Sequence, residues 1–371
     1  MGKSTLLENF LVSDIEKGNG CALIDPHSDL AERLLDLIPP RRTNDVIYFN
    51  PSDIEFPIAM NILNYSSGKE QALLVAGILS VFKKLFVDYW THKQEHILRH
   101  ALLTATSLQG STLQTVSRLL TDEPFRTRII PKLCNRTLQK FWEKEFRNFD
   151  KRQRTEAITP ILNKIGQFIS NPFIGPIINQ RKNKLPFQSI VDEGKILIAN
   201  LSKGQIGEDA MTLLGSLLIT KFQLAALQRA TITESERKDF YLYIDECQNF
   251  MTENSASLFA EMRKYRLNLI LANQHLGQLD QAIQQSILGN VGTLISFRVG
   301  PLDAELLQEE FFPALRKKDL LKLCQYHVAL KLMIDGVTSE GFTARTFPST
   351  GKLYRRKDKI VKVSRERYSC G

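Results

Sequence analysis

The sequence predicts an α/β fold interrupted by an all-α insertion, and three observations carry that reading. Short apolar runs that end in polar residues recur near the start, as the buried strands of a sheet do. The same alternation of such runs with helical stretches resumes at Lys195. Between the two, roughly 120 residues show almost only helical periodicity, a length within the usual range of a domain. The expected organisation is therefore 1–67 as the first part of the α/β domain, 68–184 as the insertion, 185–350 as the second part and 351–371 as a basic tail.

Taken in order, Ser4–Lys17 reads as a helix, and Gly18-Asn19-Gly20 stops it. Cys21-Ala22-Leu23-Ile24 is a short apolar run closed by Asp25-Pro26, the pattern of a buried strand. Val46–Phe49 and Ile58–Ile62 read as two further strands. In the insertion, Leu73, Leu74, Ile78, Leu79 and Phe82 fall on one helical face, and Ile97, Leu98 and Leu102 on another. Lys195–Asn200 then reads as a strand, Asp209–Ala230 as a helix, Phe240–Ile244 as a strand and Ser255–Tyr265 as a helix. Leu267–Ala272 and Gly292–Phe297 are the last predicted strands. Lys352–Arg367 is dense in Lys and Arg and reads as a mobile basic arm.

Bulk composition narrows the class. The mix is that of a soluble globular chain, with 43% hydrophobic and 24% charged residues. No run of about 18 apolar residues appears, so no bilayer span is expected. The start lacks the charged and apolar regions of a secretory signal. Five scattered cysteines without metal-ligand pairing read as buried thiols of a reducing compartment. Forty-nine basic against 40 acidic residues give a net charge of +9, which favours a polyanionic partner such as nucleic acid or an anionic membrane surface.

The chemistry-bearing residues sit at the ends of these elements. Gly2-Lys3-Ser4-Thr5 before a helix is the second half of a phosphate-binding loop. Backbone N–H groups and the helix N-terminus hold phosphate in such a loop, Lys reaches the β and γ oxygens, and the hydroxyl ligates Mg²⁺. The strand and first glycine of the full motif are expected upstream, so the sequence reads as entered part-way through its loop. Phe240–Ile244 runs into Asp245-Glu246, which can supply one carboxylate for the Mg²⁺ shell and another to orient and deprotonate water. Leu267–Ala272 leads through Asn273 to Gln274, an amide suited to the γ-phosphate or the attacking water.

Arg263 and Arg298 are both candidates for the cation that stabilises transition-state charge on a γ-phosphate, often supplied by a neighbouring subunit. Asp25-Pro26-His27-Ser28-Asp29 ends a strand where α/β sheets present loops to ligand, so Asp25 joins the nucleotide-contacting set. His92, His96 and His100 share a helical face and match a short zinc-protease string, but a solvated or interface face explains them more simply.

Together GKST, ALIDPHSDL, YLYIDECQNF, EMRKYRLNLILANQHLGQL and GTLISFRVG resemble the TraG-type coupling ATPases of type IV secretion and conjugation. These belong to a wider group that includes HerA and FtsK. The resemblance covers about Met1 to Gly300 in order and includes the placement of the all-α insertion. It implies a RecA-like sheet, ATP and Mg²⁺ as cofactors, a homo-oligomeric ring of six subunits, and DNA pumped at the cost of ATP. It assigns Lys3 and Ser4 to phosphate and metal, Asp245 to metal, Glu246 to water activation and Gln274 to γ-phosphate sensing. Arg263 is then the first choice of finger acting across the subunit boundary, and Arg298 the second.

A relaxase or secretion-channel proteins are the implied partners. The expected location is the cytoplasm, at the inner face of the membrane for a longer protein anchored through an upstream segment. Asn273 departs from the family, where Thr is common. Three other readings stay open: a partner-binding remnant without catalysis, a HerA- or FtsK-like DNA-processing translocase, and a metal-dependent hydrolase built on the insertion's histidines.

Overall fold

The computed structural model describes residues 2–65, 68–86, 90–252, 254 and 261–370. The chain opens with α1 (Lys3–Lys17), β1 (Gly20–Asp25), α2 (Asp29–Leu37) and β2 (Val46–Phe49). A helical region follows, with α3 (Gly68–Leu85), α4 (His92–Thr106), α5 (Leu113–Thr121) and the long α6 (Lys151–Ser170) as its main members. The return path brings β3 (Ile196–Asn200), α7 (Glu208–Gln228), β4 (Phe240–Ile244) and β5 (Leu267–Leu271). The expected Ser255–Tyr265 helix falls largely outside the described residues. Its end is seen as a short turn at Arg263–Tyr265.

The five strands form a parallel sheet in the order β2-β3-β1-β4-β5. Every residue of β1 is buried, because both faces of a parallel sheet are covered. The two-residue alternation of the strand divides the core cleanly. Ala22 and Ile24 point into the large cluster shared with the helical region. Cys21 and Leu23 point into the second cluster, with Leu11 of α1 and Leu34 of α2. The parallel register places Asp25, Asn200 and the residue after Ile244 on one edge of the sheet, the edge that bears the site.

α7 joins the two parts. It is long and apolar enough to cross a membrane by length and composition, yet 94% of that window is buried inside the fold. Its apolar character is that of a core helix packed against α3. The two helices approach so closely that a Cβ on Gly77 would lie 2.6 Å from Thr220 Cγ2.

The expected strand at Ile58–Ile62 is absent from the sheet. Ile58, Ala59, Met60 and Ile62 are buried, but Ile58 bridges antiparallel to Ser369, and Ala59 and Met60 pair with the returning end of the helical region. Met60 N–H donates to Ile177 O at 3.0 Å and Lys184 N–H donates to Ala59 O at 2.9 Å. The Asn61 amide adds bonds to Ser111 O and Arg181 O. A short apolar run records burial, and it does not say which backbone it will pair with.

The strand expected at Gly292–Phe297 is β6 (Leu294–Ser296), and it pairs antiparallel with β7 (His327–Lys331) in a separate sheet. A two-residue hairpin pair, β8 (Met333–Ile334) and β9 (Val337–Thr338), precedes β10 (Phe342–Arg345), which completes that sheet.

The basic tail is docked rather than mobile. α8 (Lys357–Tyr368) buries Ile360, Ser364 and Tyr368, spaced four apart so that they share one helical face. The Ser364 hydroxyl accepts from Tyr48 N at 2.9 Å, which satisfies an edge donor of β2, and Arg365 Nε donates to Asp53 Oδ2 at 2.7 Å. Of the cysteines only Cys21 and Cys247 are buried. Cys134 and Cys324 are exposed, since neither lies on an inward-facing strand or helix position.

Candidate nucleotide site

Three separate stretches of chain converge at the carboxyl edge of the sheet. α1 opens at Gly2, whose φ of 120° lies in the region that favours glycine. A side chain there would also strike Phe297, with a Cβ only 2.7 Å from its ring. No side chain caps the helix, so its first N–H groups face the site without a side-chain acceptor. That end of a 15-residue helix favours an anion.

Lys3 extends from this first turn to the two carboxylates that end β4. Its ammonium lies 3.0 Å from Asp245 Oδ1 and also donates to Glu246 Oε1. Asp245 and Glu246 are almost wholly buried, whereas Lys3 keeps partial access to solvent. Gln274 Nε2 donates to the same Glu246 Oε1 at 2.8 Å, and Gln248 Nε2 donates to Glu246 Oε2 at 2.7 Å. Burial pushes the Glu246 carboxyl up. The hydrogen bonds from Lys3, Gln248 and Gln274 outweigh that and hold it below the usual carboxylate range. Glu246 is thus an anion in a fixed orientation. Its backbone holds φ 47°, a conformation that L-residues seldom adopt, so the turn after β4 is set by its surroundings.

Asp25 ends the neighbouring strand, but its oxygens turn to the backbone. Oδ1 accepts from His27 N and Oδ2 from Ala31 N, both at 2.8 Å, so the carboxylate organises the loop into α2. Burial raises its pKa, with Asp245 adding to the rise against those two N–H bonds.

The two arginines part company. Arg298 is exposed and follows Phe297, whose ring meets Gly2. Arg263 is also exposed but precedes the start of β5, at the opposite edge of the sheet. Phe240 is level with that edge, and five strand steps of about 3.3 Å lie between it and Asp245. Arg263 therefore does not meet the carboxylates of its own chain.

Ser4 is exposed in the first turn of α1, and Thr5 follows it. A hydroxyl with the Asp245 carboxylate is an all-oxygen donor set, which suits Mg²⁺ shared with phosphate oxygens. Two of the insertion's histidines are engaged in other contacts. His96 Nε2 lies 2.8 Å from Glu145 Oε1, and His100 stacks on Phe141 with ring centroids 4.0 Å apart. Among the described residues no group of three or more His, Cys, Asp or Glu could hold a metal ion.

Gln248 was not singled out in the sequence. The signal was present as an amide two residues after Asp-Glu, but its use depends on the tight turn at Cys247–Asn249.

Neither a protein-family model nor a curated protein sequence matches the chain. Solved structures do. The plasmid coupling protein TrwB, in complex with ADP and Mg²⁺, is similar over 96% of this chain and 85% of its own, with a TM-score of 0.68 at 15% identity. The fold is that of the conjugative coupling proteins. TrwB bound to the ATP analogue ADPNP gives a TM-score of 0.66 at 14% identity over 95% of this chain and 85% of that one. VirB4 of Thermoanaerobacter pseudethanolicus gives 0.62 at 13% identity, over 94% of this chain and 87% of that one.

Proposed function

We propose that this chain is the ATP-hydrolysing motor of a type IV secretion or conjugation coupling protein, moving DNA or a protein–DNA conjugate. The observation that carries the proposal is the convergence of Lys3, Glu246 and Gln274 on one point from three distant stretches of sequence. The fold shared with TrwB, whose structures hold ADP with Mg²⁺ and an ATP analogue, supports nucleotide as the ligand.

In this reading Gly2, Lys3, Ser4 and Thr5 bind the phosphates, and Ser4 and Asp245 hold Mg²⁺. The metal, when bound, neutralises charge on the β and γ oxygens. Glu246, kept ionised, accepts a proton from the attacking water, and Gln274 fixes the carboxylate's direction and contacts the γ-phosphate. Once phosphate enters, Lys3 exchanges its carboxylate partners for phosphate oxygens, which frees Glu246 to act as a base. Asp25 shapes the neighbouring loop.

In the same reading Arg263 serves a neighbouring subunit of a hexameric ring, and Arg298 is the second candidate. The net charge of +9 fits a DNA partner. Lys151–Arg154 open α6, about 30 Å long at 1.5 Å per residue, and Arg181–Lys184 lie beside the Ala59–Asn61 segment. These two basic clusters are candidate phosphate contacts. A relaxase and secretion-channel proteins are candidate partners at the inner face of the membrane.

Titration with a fluorescent ATP analogue tests the nucleotide assignment. Mg²⁺-dependent binding that Lys3→Ala removes supports it. Absence of binding by the intact chain would favour a partner-binding remnant.

A further inference from the structure

The helical region touches the candidate catalytic carboxylate through one continuous set of hydrogen bonds. Lys84, in the last turn of α3, sends its ammonium under the turn that follows Glu246. There it donates to Gln248 O and Met251 O, both at 2.7 Å. The side chain of the same Gln248 donates to Glu246 Oε2 at 2.7 Å. The opposite oxygen of Glu246 receives Gln274 and Lys3. One residue thus has its backbone held by α3 and its side chain holding the carboxylate.

The turn has little other freedom. Cys247 N–H is anchored on Ala272 O at 2.8 Å, and Phe250 O accepts from Ser216 Oγ of α7 at 2.8 Å. Phe250 is fully buried against Gly215, where a Cβ would lie 2.3 Å from its ring. The turn is also closed on itself, with Asn249 N–H donating to Glu246 O at 3.0 Å and Met251 N–H to Cys247 O at 2.9 Å. Lys84 braces it from the α3 side through the Gln248 and Met251 carbonyls. Among the described residues the buried Gln248 Oε1 has no hydrogen-bond partner, so the bond from Nε2 to Glu246 orients the amide there. The α3 helix packs on both α4 of the helical region and α7 of the sheet domain, so Lys84 sits on the element that bridges the two parts.

We propose that Lys84 and Gln248 are positioning residues through which the helical region sets the orientation of the Glu246 carboxylate, so that a ligand held by that region changes the rate of hydrolysis. The inference rests on the ATPase reading for its kinetic consequence, while the mechanical link from Lys84 to the turn stands on geometry alone. Lys84 is mostly buried and burial lowers its pKa, against the attraction of Asp280 and Cys247, so it is costly to place there without a function for its hydrogen bonds.

The test compares the intact chain with Lys84→Met, Lys84→Arg and Gln248→Ala. It measures affinity for a fluorescent ATP analogue, single-turnover hydrolysis with and without DNA, and amide hydrogen exchange over 246–252. The expected result is that Lys84→Met and Gln248→Ala keep nucleotide affinity within about twofold but lose about 10- to 100-fold in turnover, the scale of a misplaced reacting group. Lys84→Arg restores most of the rate, and DNA no longer accelerates Lys84→Met. Exchange over 247–252 rises in Lys84→Met while α7 stays protected. Unchanged turnover and unchanged exchange in Lys84→Met overturn the proposal, and so does a loss of turnover that merely follows lost nucleotide affinity. If the intact chain binds no nucleotide, the ATPase reading fails, and the exchange measurement alone then decides whether Lys84 holds the turn.

Discussion

Gln274 Nε2 lies 2.8 Å from Glu246 Oε1, so the segment after one strand holds the carboxylate at the end of its neighbour. β4 and β5 are in parallel register, which brings their ends level and makes this contact possible across 28 residues of sequence. The pair has the arrangement expected of a base and the group that aims it.

Gln274→Ala removes the aim and leaves the base. The expected outcome is a fall in kcat of about 10- to 100-fold with nucleotide affinity nearly unchanged. Steady-state kinetics beside a binding titration checks it. An affinity loss with normal kcat would instead make Gln274 a binding residue.

Arg263 is exposed and stands at the sheet edge opposite its own carboxylates, so in the proposed motor it would act on the site of a second subunit. Arg263→Ala and Glu246→Gln should each be inactive alone. Mixed, they should regain part of the activity, because a Glu246→Gln subunit can offer its arginine to an intact site next door. No recovery in mixed assemblies, with oligomers formed normally, would exclude Arg263 as a finger acting across subunits.

Lys221 of α7 is buried, and burial lowers its pKa to about 7 against the attraction of Glu70. Its folded pKa lies below the ordinary lysine value of 10.5, so above about pH 7 the unfolded chain carries the extra proton. Stability conferred by this group is therefore lowest below pH 7 and rises as pH climbs toward 9. Urea unfolding across that range should show the rise in the intact chain, and Lys221→Met should flatten it. An equal slope in both proteins would contradict the assignment.

Ile360 is fully buried where α8 covers the edge of β2. Ile360→Ala should lower unfolding free energy by about 2–4 kcal/mol, the usual cost of emptying a core isoleucine site. A change near zero would mean that the C-terminal helix is not held on the sheet in solution.

Much of this was legible because strand burial and strand-end chemistry are local. The runs before Asp25 and Asp245 announced β1 and β4, and the periodicity of 73–82 announced α3. What was not legible depended on long-range pairing. Ile58–Ile62 shows the apolar run of a strand, yet it pairs with residues 177, 184 and 369. The stripe of Ile360, Ser364 and Tyr368, spaced four apart, was hidden by one small polar member and by dense basic neighbours. The site separated in the same way. Lys3, Asp245, Glu246 and Gln274 carried motif signals and are brought together. Gln248 and Lys84 matter only through the turn that joins them. Asp25 carried a strand-end signal, but its two oxygens are used within its own loop.

The central claim is that the carboxylate held between Lys3, Gln248 and Gln274 drives a DNA-linked ATP hydrolysis. The direct measurement is ATP turnover by the intact chain with and without single- and double-stranded DNA, beside Glu246→Gln as control. The account predicts turnover that DNA accelerates and that falls by about 10²- to 10⁴-fold in the control, the range for removing a general base. Turnover that survives Glu246→Gln unchanged, or nucleotide binding without any hydrolysis, would contradict it.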